Sequence, residues 1–169
     1  MSRLVLVTGV SGVGKSTIGK LLAEALGVTF ADADAFHPPA NIAKMSAGLP
    51  LDDADRWPWL DAIGDWLDAR GALGDRRGGG VVTCSALKRS YRDRLLGGRP
   101  GVRLLYLHGD PALVMARQAA RAGHFMPASL MASQYATLEP PAPQENAISL
   151  TVDDEPPAIV QAALRHLTP

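Results

Sequence analysis

A chain of 169 residues with 47% hydrophobic and 20% charged side chains is too apolar for a disordered segment and too mixed for a fibre. Seventeen Lys and Arg balance seventeen Asp and Glu, so the basic excess that nucleic acid or an anionic membrane draws on is missing. One cysteine, Cys84, excludes an intramolecular disulfide and suits a reducing compartment. The expectation is one soluble cytoplasmic domain, residues 1–169, with no nucleic-acid or membrane partner. The first apolar run, Leu4 to Val7, is too short for a signal-peptide core, and no stretch approaches the ~18 apolar residues of a membrane span.

In chain order, Arg3 to Thr8 reads as a buried strand, rich in β-branched and apolar residues and ended by Gly9. Ile18, Leu21, Leu22, Ala25 and Leu26 then recur at helical spacing, and Gly27 is placed to stop that helix. A second strand covers Val28 to Asp32, and a helix Ala40 to Ala47 is broken by Gly48-Leu49-Pro50. The next helix begins near Asp55 as N-cap, with Pro58 in its first turn and Trp59, Ile63, Trp66 and Leu67 on its buried side. Trp57 and Trp59 are read as core, with a subunit contact as the alternative. Val81 to Cys84 is a third strand, Lys88 to Leu96 a helix, and Val102 to His108 a fourth strand. Asp110 caps a helix that starts with Pro111 and runs to about Arg121, and a further helix covers Ala128 to Leu138. Ile148 to Val152 is the fifth strand and Pro157 to Leu167 the closing helix. Such alternation predicts an α/β fold, an open parallel sheet with helices on both faces. In such sheets ligands gather beyond the carboxyl ends of the strands.

The segment after the first strand, Gly9-Val10-Ser11-Gly12-Val13-Gly14-Lys15-Ser16, matches G-x-x-x-x-G-K-[ST], and Thr17 follows it. Backbone N–H groups of such a loop crowd around phosphate oxygens, the helix start adds its positive dipole end, and Lys15 brings a cation to the β- and γ-phosphates. The Ser16 hydroxyl suits Mg²⁺. A chance glycine-rich turn is the alternative, and the strand–loop–helix setting argues against it. The expected ligands are therefore a nucleoside triphosphate and Mg²⁺.

Asp32 and Asp34 stand two apart at the end of the second strand. In extended chain both carboxylates project to one side, where one helps hold hydrated Mg²⁺ and the other accepts a hydrogen bond from an attacking hydroxyl. A solvent-facing strand-end turn is the bland alternative. The third strand runs into Ser85 with no carboxylate, which leaves the metal role to Asp32. Cations follow: His37, Lys44 and Arg56, then Lys88, Arg89, Arg92 and Arg94. Lys88 and Arg92, four apart, are expected to share a helix face toward an acidic substrate, whereas Arg89 and Arg94 are read as solvated. His37, ahead of two prolines, reads as a turn residue from local sequence alone. Arg117 and Arg121, also four apart, either close over the nucleotide as part of a flap with His124-Phe125-Met126 or offset a helix dipole.

With these residues in place, the chain resembles the gluconokinases of the thermoresistant type, relatives of shikimate kinase and the nucleoside monophosphate kinases. The resemblance rests on GVSGVGKST (9–17), DADAFHPPANIAKMSAGLPLDDADRWPWL (32–60), CSALKRSYRDRL (84–95) and RAGHFMPASLMASQYATLEPP (121–141). It implies a P-loop NTPase fold with a five-stranded parallel sheet of order 2-3-1-4-5, an acceptor-binding insert at about 36–70 and a small helical lid at about 121–138. It implies ATP-dependent phosphorylation of D-gluconate, often in a homodimer. Lys15 and Ser16 would then serve the phosphates and Mg²⁺, Asp34 the 6-hydroxyl, Arg121 and His124 the lid, and Arg117 the adenine end. Within that pattern His37, Lys44, Arg56, Lys88 and Arg92 become candidates for binding the acceptor. Gln134 and Tyr135 match the pattern without an assigned role. From residues alone, other acceptors such as shikimate, a nucleoside monophosphate or another sugar acid stay open, as does a nucleotide-dependent switch. A guanine-specific switch lacks support, because no N-K-x-D occurs and the D-x-x-G at Asp61 to Gly64 falls inside a helix.

Overall fold

The computed structural model describes residues 2–120 and 128–169, so Arg121 and His124 lie outside the described residues. Five strands, β1 (Leu4–Thr8), β2 (Thr29–Asp32), β3 (Gly80–Thr83), β4 (Val102–His108) and β5 (Ile148–Thr151), pair in parallel in the order 2-3-1-4-5. Period-two alternation splits their side chains between two cores. Val5, Val7, Val81, Leu105 and Leu107 enter one, and Leu6, Val82 and Leu104 enter the other. Both faces of the sheet are thus apolar, which is why the strands read as continuous hydrophobic runs. No helix among the described residues is long and apolar enough to cross a membrane.

Helices α1 (Lys15–Leu26) and α8 (Pro156–Leu167) bury Ile18, Leu22, Ile159 and Ala163 in the first core. Gly27 stops α1 as expected, at φ 64°, where its N–H reaches back to the carbonyls of Ala23 and Glu24. The second core is closed by α3 (Asp53–Gly71) and α5 (Arg89–Leu96), through Trp59, Leu60, Ile63, Leu67, Tyr91 and Leu95. Between β2 and α3 lie a 3-10 turn, Ala33–Phe36, and α2 (Pro39–Ser46). A short α4 (Gly74–Arg77), α6 (Pro111–Ala119), capped by Asp110 as expected, and α7 (Ala128–Thr137) complete the helices.

Three expectations are corrected. The N-cap of α3 is Asp52, not Asp55: Asp52 accepts from the Asp55 N–H and the Asp55 carboxylate accepts from the Asp52 N–H, a reciprocal box that starts the helix earlier. Pro58 consequently falls inside α3 rather than in its first turn. The third strand ends at Thr83, and Cys84 continues past it into the site.

Candidate active site

At the carboxyl ends of β1, β2 and β3 opens a cleft of about 990 Å³. One wall is the phosphate loop and the first turn of α1, Ser11 to Thr17. The α1 N-cap is Gly14, which offers no side-chain cap, and the first turn carries no acidic residue, so its N–H groups and dipole are left for an anion. Gly12, at φ 83°, is forced by contact as well as by backbone: a Cβ there would come within 2.7 Å of the Gln118 Cβ. Gly9 and Val10, the first residues of the loop, do not line the cleft, Val10 being buried core. The Lys15 ammonium lies across the loop and donates to the carbonyls of Gly9 (2.9 Å) and Val10 (3.0 Å).

The opposite wall is the end of β2. The Ser16 hydroxyl donates to Asp32 Oδ2 at 3.0 Å, and Asp32 Oδ1 caps the 3-10 turn by accepting from the Asp34 N–H at 3.0 Å. Asp34 is therefore outside the strand, and the extended-chain argument for its direction fails. The turn, not strand alternation, brings Asp32 and Asp34 into the lining of one cleft with Lys15. A buried indole fixes that turn: Trp59 Nε1 donates to the Ala33 carbonyl at 2.7 Å. His37 stacks on Trp59 with ring centroids 4.4 Å apart, and burial holds its basicity below the ordinary value. The buried Asn41, which local patterning did not single out, donates to the Asp55 carbonyl at 2.9 Å and lies 3.3 Å from His37 Nδ1.

The cations expected on the acceptor side lie beyond the cleft lining. Lys44 pairs with Asp55 at 2.6 Å, joining α2 to α3. Arg56 and Lys88 stand beside Asp53. Arg89 and Arg94 form exposed pairs with Asp93 and Asp61, as expected of solvated residues. Arg92 departs from expectation. It is 1% exposed, and its guanidinium donates to both carboxylate oxygens of Glu145 (2.7 and 3.2 Å) and to the carbonyls of Ala86 and Leu87. It shapes the turn after β3, where Ala86 takes φ 40°, and is not turned toward an acceptor.

Those hydrogen bonds hold the Glu145 carboxyl below its ordinary value of 4.5. A carboxyl depressed in the folded state contributes stability above its unfolded pKa and loses it as pH falls through the lower, folded value. Glu145→Gln should thus cost roughly 3 kcal/mol at pH 7 by leaving Arg92 buried and unpaired. The difference from the parent should shrink as pH drops below 4.5, which denaturant titrations at pH 7 and in acid would measure. An equal deficit at both pH values would contradict this reading of the pair.

At the far end, Arg117 donates to the Val152 carbonyl at 2.6 Å and lines the cleft with Gln118, Asp154, Glu155 and Pro156. Two glutamines flank the loop unannounced by any motif role. Gln134 Oε1, from α7, accepts from the Ser11 N–H at 2.7 Å, whereas buried Gln118 Oε1 has no partner among the described residues. Cys84 also reaches the cleft, but burial pushes its thiol up to about 12, so it stays protonated and inert. Trp57 is half-buried edge-on to Tyr91, and Trp59 is core.

A phosphate loop feeding α1 beside a carboxylate-bearing strand end, on a 2-3-1-4-5 parallel sheet, places the chain among the P-loop kinases. The shikimate kinase family model matches residues 11–54. A gluconokinase of Gluconobacter oxydans is 45% identical over 164 residues, covering 97% of this chain and 90% of that protein. The crystal structure of a gluconokinase from Sinorhizobium meliloti 1021 superposes with a TM-score of 0.84 at 46% identity, over 98% of this chain and 91% of that one. An unliganded sugar kinase from Janibacter sp. gives a TM-score of 0.86 at 48% identity, over 99% and 95%. The chain belongs to the gluconokinase family.

Proposed function

We propose that this chain transfers the γ-phosphoryl group of ATP to the 6-hydroxyl of D-gluconate, giving 6-phosphogluconate. The observation that carries the reading is the shared lining of one cleft by Lys15, Ser16, Asp32 and Asp34. In-line phosphoryl transfer through a loose transition state asks the protein for positioning and charge, not covalent chemistry. The loop N–H groups and Lys15 hold the β- and γ-phosphates. Asp34 orients the acceptor hydroxyl and accepts its proton as the P–O bond forms. Arg117 holds the nucleotide end. Arg121 and His124, outside the described residues, keep the roles in the lid that the resemblance gives them, as part of this proposal.

The donor set fits Mg²⁺. The Ser16 hydroxyl and Asp32 carboxylate already converge, and among the described residues no cluster of three or more His, Cys, Asp or Glu offers a cage. Such a sparse set suits a hard cation that keeps its waters and leans on phosphate oxygens. Ser16 and Asp32 would hold it, and when bound it neutralises charge on the β- and γ-phosphates. A homodimer in a cytoplasmic setting completes the proposal. A sedimentation mass of one chain would remove the dimer from it.

A coupled ADP-release assay across D-gluconate, shikimate and nucleoside monophosphates tests the reading. Gluconate should be the sole good acceptor. A clear preference for another acceptor, or nucleotide binding without acceptor-dependent turnover, would overturn it.

A further inference from the structure

The Val10–Ser11 peptide of the phosphate loop is held from both of its polar ends. It is trans, so its C=O and N–H point in opposite directions. The Val10 carbonyl accepts from the Lys15 ammonium at 3.0 Å and from the Val13 N–H at 3.3 Å. The Ser11 N–H donates to Gln134 Oε1 at 2.7 Å, the shortest of the three bonds. Only the oxygen of a side-chain amide accepts from an N–H, so this bond also settles which way the Gln134 amide faces.

Gln134 is a firm anchor. Met131 is buried, and Tyr135 and Leu138 pack against the first core. Positions 131, 134, 135 and 138 share one helix face, so apolar packing seats α7 and Gln134 reaches from that seated face into the cleft lining. Nothing else among the described residues takes the Ser11 N–H. Were the peptide to rotate, its N–H would turn toward the ammonium and the Val10 carbonyl away from it. An attraction between cation and carbonyl dipole would become a repulsion.

We propose that Gln134 is a positioning residue for Lys15. By holding the Ser11 N–H it keeps the Val10 carbonyl turned to the ammonium, and so sets where that charge stands when the β- and γ-phosphates arrive. The seat of the phosphate-binding lysine is thereby tied to a helix outside the G-x-x-x-x-G-K-[ST] segment. The inference deepens the phosphotransfer proposed above at its nucleotide step and rests on ATP binding by the loop, whatever the acceptor.

Gln134→Leu keeps the bulk and the helix propensity and removes the acceptor oxygen. Calorimetric affinities for ATP and AMP in the parent, Gln134→Leu, Lys15→Ala and the double variant close a mutant cycle. In the parent background Gln134→Leu should weaken ATP about threefold to tenfold. In the Lys15→Ala background the same change should cost about twofold at most. Affinity for AMP, which lacks the β- and γ-phosphates, should hold throughout. A merely structural role would give equal losses in both backgrounds, or for both nucleotides, and either result overturns the proposal. So does unchanged ATP affinity in the single variant.

Gln134→Glu supplies the second arm, because it restores an acceptor for the Ser11 N–H. Lys15→Ala should weaken ATP by at least as large a factor in the Gln134→Glu background as in the parent, and a smaller factor overturns the proposal. A parent protein that binds no ATP would instead remove the nucleotide reading itself, before any variant is compared.

Discussion

Lys15→Ala should lower kcat by about 10³ or more while the protein stays folded and retains weakened ATP binding. The backbone N–H groups of the loop and of the first turn of α1 survive the substitution, and they supply much of the grip on phosphate. What disappears is the one side-chain ammonium of the phosphate loop. In this structure that ammonium is already held over the loop by the Gly9 and Val10 carbonyls, within reach of whatever the loop binds. Preorganised donors aimed at developing charge are typically worth about 3–4 kcal/mol each, and a full positive charge in a partly enclosed cleft belongs at the upper end. Single-turnover kinetics with saturating ATP would isolate the effect. A variant within tenfold of the parent would contradict the phosphate-cradle assignment.

Asp34→Asn is expected to lower kcat by roughly 10²–10⁴ and leave the Kd for ATP unchanged. The side chain is nearly isosteric and the turn that carries it is secured elsewhere, by the Asp32 cap on the Asp34 N–H and by the Trp59 indole on the Ala33 carbonyl. The substitution therefore removes charge and proton-accepting capacity without moving the backbone. ATP affinity read by fluorescence or calorimetry, beside kcat on gluconate, separates a group that orients the acceptor from one that merely supports the cleft. Unchanged turnover would take Asp34 out of the mechanism.

Much of the fold was legible because local and global signals agree. Val5, Leu6 and Val7 must point to opposite faces whatever packs there, and an unbroken apolar strand can only be buried on both. The phosphate loop was legible for a similar reason, since glycines, Lys15 and the helix start all serve one task within a few residues. The failures share a cause as well. Spacing alone puts Lys88 and Arg92 on one helix face, but α5 begins at Arg89 and Lys88 is extended, at φ −94° and ψ 146°, so the spacing rule does not apply. The partner that takes Arg92, Glu145, is 53 residues away, a distance at which no local pattern speaks.

Asp52 and Asp55 show a different limit. Either acid suits an N-cap, and only the reciprocal hydrogen bonds decide between them. Asp34 lines the cleft through a 3-10 turn and not through strand alternation, because the chain leaves β2 at Asp32. Tyr91 had no signal of its own in the sequence. Its contacts emerge only when α3 and α5 bring Asp53, Arg56 and Lys88 around one ring.

Proton-coupled phosphorus NMR of the product made from ATP and D-gluconate tests most directly whether the phosphate loop and Asp34 serve one transfer. Transfer to the terminal hydroxyl gives a phosphomonoester signal split into a triplet by the two hydrogens on C6. A doublet from a secondary alcohol, or inorganic phosphate alone, would contradict it.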